Sequence, residues 1–261
     1  MEMSDRQKEI ENLCKQLKLS AGMAERAMVI TGETNQEYLI KLFNSEINAR
    51  RQKRIADKFR KADLPYTENI DEMDISEIVF PQELSFEQCM DLKFIRERRN
   101  LLMYGYTGTG KTMLSICLAI KACTSDLPVR FFETSTLITK LKEALNAGRL
   151  TSFKAKLYES QIFILDEFGY TPYDLTGAQL LFEFISEIYK KKILILNTNK
   201  TFSEWEEIFI DPKMTKAMIG RITEHCHLIL FPGEDWRFKK SNFAKMFESM
   251  KLEDLSNERA L

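Results

Sequence analysis

The chain has 261 residues, 44% of them hydrophobic and 30% charged, with 38 Lys and Arg against 39 Asp and Glu. That length suits one α/β domain plus a small appendage, and a formal net charge of −1 excludes a polycation, so any grip on nucleic acid must come from local patches. The five cysteines (Cys14, Cys89, Cys117, Cys123 and Cys226) form no C-x-x-C pair, which argues against a disulfide framework or a zinc site.

The N-terminus "MEMSDRQKEIENLC" is charged from the start and does not read as a secretory signal. No apolar run approaches the roughly 20 residues of a bilayer span. A reduced cytoplasmic protein with no membrane partner is expected. Residues 1–65 read as a helical N-terminal domain. In "EIENLCKQLKL", Ile10, Leu13 and Leu17 recur at helical spacing. A longer helix covers "TNQEYLIKLFNSEINARRQKRIADKFRKAD", with Leu39, Leu42, Phe43 and Ile47 lining one side of its first half. In the second half the apolar side shifts to Ile55 and Phe59. The side that was apolar then carries Arg50, Arg54, Lys58 and Lys61, diluted by Asp57. Taken alone this stripe reads as a solvated face. Beside the rest of the chain, contact with DNA or an acidic partner is the expectation. Pro65 ends the helix, and residues 66–93 read as a connector with an acidic stretch.

From about Phe94 short apolar runs alternate with helical stretches. The runs are "NLLMYG", "VRFFE", "QIFILD", "KKILILN" and "CHLILF". Continuous apolar runs separated by helices imply strands buried on both faces of a parallel sheet. Residues 94–261 are therefore expected to form a doubly wound, five-stranded α/β domain.

The first run leads into "GYTGTGKT" and then a helix, "MLSICLAIKAC". This is G-x-x-x-x-G-K-[ST] in its required strand, loop, helix setting. Backbone N–H groups of such a loop curl around phosphates, and the helix N-terminus adds positive potential. The expected phosphate-binding set is Gly105, Tyr106, Thr107, Gly108, Thr109, Gly110, Lys111, Thr112 and Met113. Lys111 is expected on the β and γ phosphates and Thr112 on Mg²⁺, so ATP with Mg²⁺ is the expected cofactor. The third run ends in Asp166 and Glu167. Asp166 suits the Mg²⁺ shell, and Glu167 suits a base that orients and deprotonates the attacking water. That pair favours hydrolysis over transfer to a small acceptor. The fourth run ends in polar amides, where Asn199 is the expected γ-phosphate or water sensor and Asn197 the competing candidate.

The stretches "FIRERRNLLMYGYTGTGKTMLS", "FILDEFGYTPYDLTGAQLLFEFISEIY" and "LNTNKTFSEWEEIFIDPKMTKAMIGRITEHCHLILFPGEDWRFK" together resemble the IstB family. These are AAA+ ATPase helpers of transposition, related to the DnaC and DnaI helicase loaders. The resemblance extends to the N-terminal helices. It implies a P-loop AAA+ core, with Asp166 as the Walker B acid, Glu167 as the catalytic acid and Asn199 as the sensor. Arg221 matches the arginine finger, acting on ATP held by a neighbouring subunit, and Arg237 matches a later arginine near the γ-phosphate. Here Gly220 stands where the family usually has Asp, and "EHCH" replaces its paired histidines. Little chain follows the fifth run, so a truncated or missing helical lid is expected. The function implied is an ATP-dependent, DNA-binding ATPase that self-associates on duplex DNA and assists a transposase. A replicative helicase loader is the alternative.

Overall fold

The structure, a computed structural model, describes residues 5–66, 75–209 and 211–233. The chain divides into two compact units, Met1–Lys58 and Phe59–Leu261. The first is helical: α1 (Asp5–Gln16), α2 (Met23–Val29) and α3 (Asn35–Ala62), whose last turn belongs to the second unit.

The inward side of α3 is not the one that the apolar stripe marks. Leu39, Phe43 and Ile47 are 45%, 57% and 60% exposed, and of the four stripe residues only Leu42 is buried. Tyr38, Leu42 and Glu46, four residues apart, form the inward row instead. A step of one residue turns a helix by about 100°, and polar bonding decides the rotation. The Tyr38 hydroxyl donates to Ala27 O at 2.9 Å. Glu46, 6% exposed, accepts from Ser20 N at 2.7 Å, from the Ser20 hydroxyl, from Arg26 Nη2 at 3.0 Å and from Arg50 Nε at 2.6 Å. With Glu46 at that depth its donors are required, because a buried carboxylate left without partners is costly.

Burial works against the charge on Glu46, but the bonds from Ser20 and Arg50 win and hold its carboxyl at about 2 instead of the ordinary 4.5. A pKa lowered on folding contributes stability that is full above about pH 4.5 and lost as the pH falls towards 2. Glu46→Gln should therefore cost the first unit about 3 kcal/mol at pH 7. The deficit should shrink steadily below pH 4.5, as read by denaturant unfolding followed by circular dichroism.

The second unit holds a five-stranded sheet: β1 (Asn100–Gly105), β2 (Val129–Glu133), β3 (Ile162–Asp166), β4 (Ile193–Thr198) and β5 (Cys226–Phe231). All neighbours run parallel, in the order β2-β3-β4-β1-β5. The five apolar runs thus form the five strands expected. Alternate residues feed two cores. Leu102, Leu165 and Leu196 pack with α7 (Thr134–Asn146), α8 (Leu150–Leu157), α9 (Leu175–Ile188), α10 (Phe202–Phe209) and α11 (Pro212–Thr223). Leu101, Met103, Ile164 and Ile195 pack on the other face with α6 (Lys111–Thr124).

The stretch expected as a connector is part of this unit where it is described. It carries α4 (Phe86–Met90) and α5 (Lys93–Arg96), and Leu84, Cys89 and Leu92 are buried in the α6-side core. Ala62 joins the same core, so the division falls inside α3 and not at Pro65. Val79 extends the sheet edge by pairing antiparallel with Leu230. Arg237 and the expected short lid lie outside the described residues.

Candidate functional site

The strand order places β4 between β1, which leads into the glycine loop, and β3, which ends in Asp166. Phosphate-binding loops of parallel sheets open at the carboxyl ends of the strands, so the three chain ends meet there. Two glycines have a demonstrable steric reason. A Cβ on Gly105 would lie 2.2 Å from Phe231 O of β5. Gly110, which opens α6, sits at φ 99, in the left-handed region. Within the loop Tyr106, 74% exposed, and Thr107 face outward, while Thr109 is buried.

Lys111 Nζ donates to Gly105 O at 2.7 Å and to Tyr106 O, and lies 3.5 Å from the Thr109 hydroxyl. Its ammonium is therefore held over the loop at the start of α6. Thr112 Oγ1 donates to Asp166 Oδ2 at 2.8 Å, across 54 residues of sequence. A hydroxyl and a carboxylate beside phosphate oxygens form a hard-oxygen donor set of the kind that suits Mg²⁺. The residues present thus fit that ion, with Thr112 and Asp166 as the pair that would hold it.

Glu167 follows directly and is exposed, at φ 53 in the left-handed region. Such a conformation is rare for a residue with a Cβ and persists only when the surroundings impose it. Here they do so on both sides. Thr134 Oγ1, fully buried, donates to Asp166 O at 2.7 Å. Phe168 N donates to Asn197 O at 2.9 Å, and Thr198 Oγ1 donates to Phe168 O at 2.8 Å. The Phe168 ring is fully buried, 4.8 Å from Trp205 and 5.6 Å from Phe209 between ring centres. The Tyr173 hydroxyl accepts from Gly169 N at 2.9 Å. Burial pushes that phenol up to about 12, so it stays protonated.

The fourth-strand amides separate. Asn197 is 1% exposed and its Nδ2 donates to Asp166 Oδ1 at 2.9 Å. Asn199 lies just past the end of β4 and is half-buried. Arg221, in the last turn of α11, donates to Ser186 Oγ at 2.7 Å, and its guanidinium stands 4.7 Å from the Phe182 ring centre. It is thus held against α9 of its own subunit.

The basic stripe is also partly occupied. Besides Glu46, Arg50 donates to Lys18 O at 2.8 Å, so it is built into the first unit. Lys61 Nζ lies 3.5 Å from Glu159 within the second unit. Arg54 is exposed and Lys58 half-buried. Sequence reasoning missed Thr134, Ser115 and Thr198 as supports of the site. No local signal marks them, because their partners come from other strands.

A parallel sheet with a phosphate loop after β1, a Thr–Asp pair joining the start of α6 to the end of β3, and an adjacent glutamate defines a P-loop ATPase of the AAA+ class. In a solved structure of domain III from the Thermotoga maritima replication initiation protein DnaA, the same fold recurs with a TM-score of 0.50 at 19% identity. That match covers 71% of this chain and 77% of the other. The family model described as IstB-like ATP binding protein matches residues 13–244, and the chain belongs to that family. It is 32% identical to the ATP-binding protein of insertion sequence IS232 from Bacillus thuringiensis subsp. berliner, over 80% of this chain and 83% of that one. It is 30% identical to the ATP-binding protein of insertion sequence IS5376 from Geobacillus stearothermophilus, over 88% and 94%. The chain is accordingly an ATP-binding, ATP-hydrolysing AAA+ protein. Among the described residues no helix is long and apolar enough to cross a membrane.

Proposed function

We propose that this ATPase binds duplex DNA, assembles on it with ATP and Mg²⁺, and assists the transposase of its insertion sequence. The observation that carries this reading is the near full-length likeness to insertion-sequence ATP-binding proteins. It is supported by a site in which Thr112 bonds to Asp166 and Glu167 follows directly in the chain.

In this reading the loop N–H groups and Lys111 bind the triphosphate, while Thr112 and Asp166 would hold Mg²⁺, which would supply neutralising charge to the phosphates. Glu167 takes the proton of the attacking water, and Asn199 orients that water or the γ-phosphate. Arg221 enters the site of a neighbouring subunit and couples hydrolysis to assembly. Arg237 is assigned to the γ-phosphate by resemblance. The test is ATP turnover with and without duplex DNA, alongside particle mass by light scattering. DNA stimulation and ATP-dependent growth support the reading, whereas an unstimulated monomer overturns it. A pull-down from lysate with this chain as bait that recovers a helicase instead of a transposase would assign it to helicase loading.

Arg50, Arg54, Lys58 and Lys61 are the stripe residues assigned to DNA, through phosphates and with little sequence preference. Since removing Arg50 would also undo the Glu46 cluster, the clean variant is Arg54→Gln with Lys58→Gln. Its DNA affinity should fall and the slope of log affinity against log salt should flatten by up to about 2. Basal ATP turnover should stay unchanged. An unaltered salt slope would return the stripe to an ordinary solvated face.

A further inference from the structure

Asn197 is buried at the end of β4 and is not needed to hold the strand, whose backbone pairs with β1 and β3. Its side chain forms the middle of a buried relay. Ser115 Oγ of α6, fully buried, donates to Asn197 Oδ1 at 3.0 Å. Asn197 Nδ2 donates to Asp166 Oδ1 at 2.9 Å. Asp166 Oδ2 accepts from Thr112 Oγ1 at 2.8 Å. Chemistry fixes the direction of every bond. The carboxylate can only accept, so the amide must turn its NH₂ towards Asp166. Its oxygen is then left for the one donor available, the Ser115 hydroxyl. The relay starts and ends on α6, one turn apart, so the helix that carries the phosphate loop also sets the angle of the carboxylate on β3.

We propose that Asn197 is a positioning residue for the metal-binding carboxylate. It occupies Asp166 Oδ1 and leaves Oδ2 as the oxygen presented beside Thr112. This role differs from water sensing, which stays with Asn199. The relay also explains a polar side chain in a strand that is otherwise apolar up to its last two residues, because an unpaired carboxylate oxygen at that depth would carry a full desolvation cost. The inference rests on the Mg²⁺ reading given above.

The experiment measures binding of a fluorescent ATP analogue to wild type, Asn197→Ala and Ser115→Ala, first in EDTA and then during a Mg²⁺ titration. Removing an outer partner of a metal ligand typically weakens metal affinity about 10–100-fold. For Asn197→Ala the half-saturating Mg²⁺ concentration should rise by that factor, while nucleotide affinity in EDTA stays within about twofold. Ser115→Ala, which loosens the amide and leaves the Asp166 bond in place, should show a smaller rise, of about threefold to tenfold, below that range. Electron paramagnetic resonance with Mn²⁺ in place of Mg²⁺ gives a second readout, as weaker ion binding in the nucleotide complex.

An unchanged Mg²⁺ requirement in a folded Asn197→Ala variant overturns the proposal. So does an equal loss of affinity in EDTA, which would show general damage to the loop. Should Asn197→Ala fail to fold, Ser115→Ala decides alone, and a wild-type Mg²⁺ requirement in it counts against the relay. A wild-type protein whose nucleotide binding ignores Mg²⁺ would bring down the Mg²⁺ reading itself, an outcome distinct from a normal wild type with an indifferent variant.

Discussion

ATP turnover by the Glu167→Gln variant should fall about 10²- to 10⁴-fold, the range that a lost general base removes. Its ATP affinity should hold. The side chain is exposed, so the amide costs nothing in packing, and no phosphate-binding group changes. The backbone around it is clamped by Thr134, Asn197, Thr198 and the Phe168 ring, so the variant amide stands where the carboxylate stood. The ability to take a proton is lost. The variant should therefore accumulate the ATP-bound form, and any assembly that ATP drives should persist longer. Single-turnover hydrolysis beside equilibrium nucleotide binding checks this. Equal losses in both would mean that Glu167 shapes the loop and is not the base.

Arg221→Ala should lower turnover by about 10³-fold or more, the scale of an arginine supplied to a phosphoryl-transfer site. The structure sharpens what the test must separate. Arg221 is bonded to Ser186 and stacked on Phe182, so it also ties α11 to α9. A loss of fold would mimic a loss of catalysis. Mixing resolves this. Arg221→Ala subunits keep an intact nucleotide site, and Lys111→Ala subunits keep an intact arginine. Equimolar mixing should restore part of the activity that each lacks alone, because some interfaces then combine a good site with a good arginine. No recovery, with both variants folded and co-assembled, would make Arg221 a structural residue. Ser186→Ala is the companion variant. It frees the guanidinium of one bond and should leave turnover within a few-fold, since a single neutral hydrogen bond contributes about 1 kcal/mol.

The glycine loop, the Asp166–Glu167 pair and the five strands were readable from sequence because each is a local pattern. Glycines are demanded by loop geometry, and apolar runs by burial on both faces of a sheet. The motor's chemistry is therefore written in short contiguous segments. The first unit was read less well for a related reason. Periodicity marks Leu39, Phe43 and Ile47 as a stripe, but it cannot weigh them against a carboxylate that finds four donors from Ser20, Arg26 and Arg50. Similarly, the connector was expected from Pro65 and its acids, while Leu84, Cys89 and Leu92 are placed by the core they fill.

By itself, then, the sequence determined the class of the protein, its nucleotide loop and the acids that serve it, since those depend on residues within a few positions of each other. Tertiary structure alone decided how the acids are held. It inserted β4 between the loop strand and the acid strand, and so joined Ser115 to Asn197 across 82 residues and Asn197 to Asp166 across 31. It also put Arg50 to structural use, against Glu46 and Lys18 O. Hydrogen-bond partners so far apart in the chain leave no periodic trace, because strand order, not spacing, brings them together.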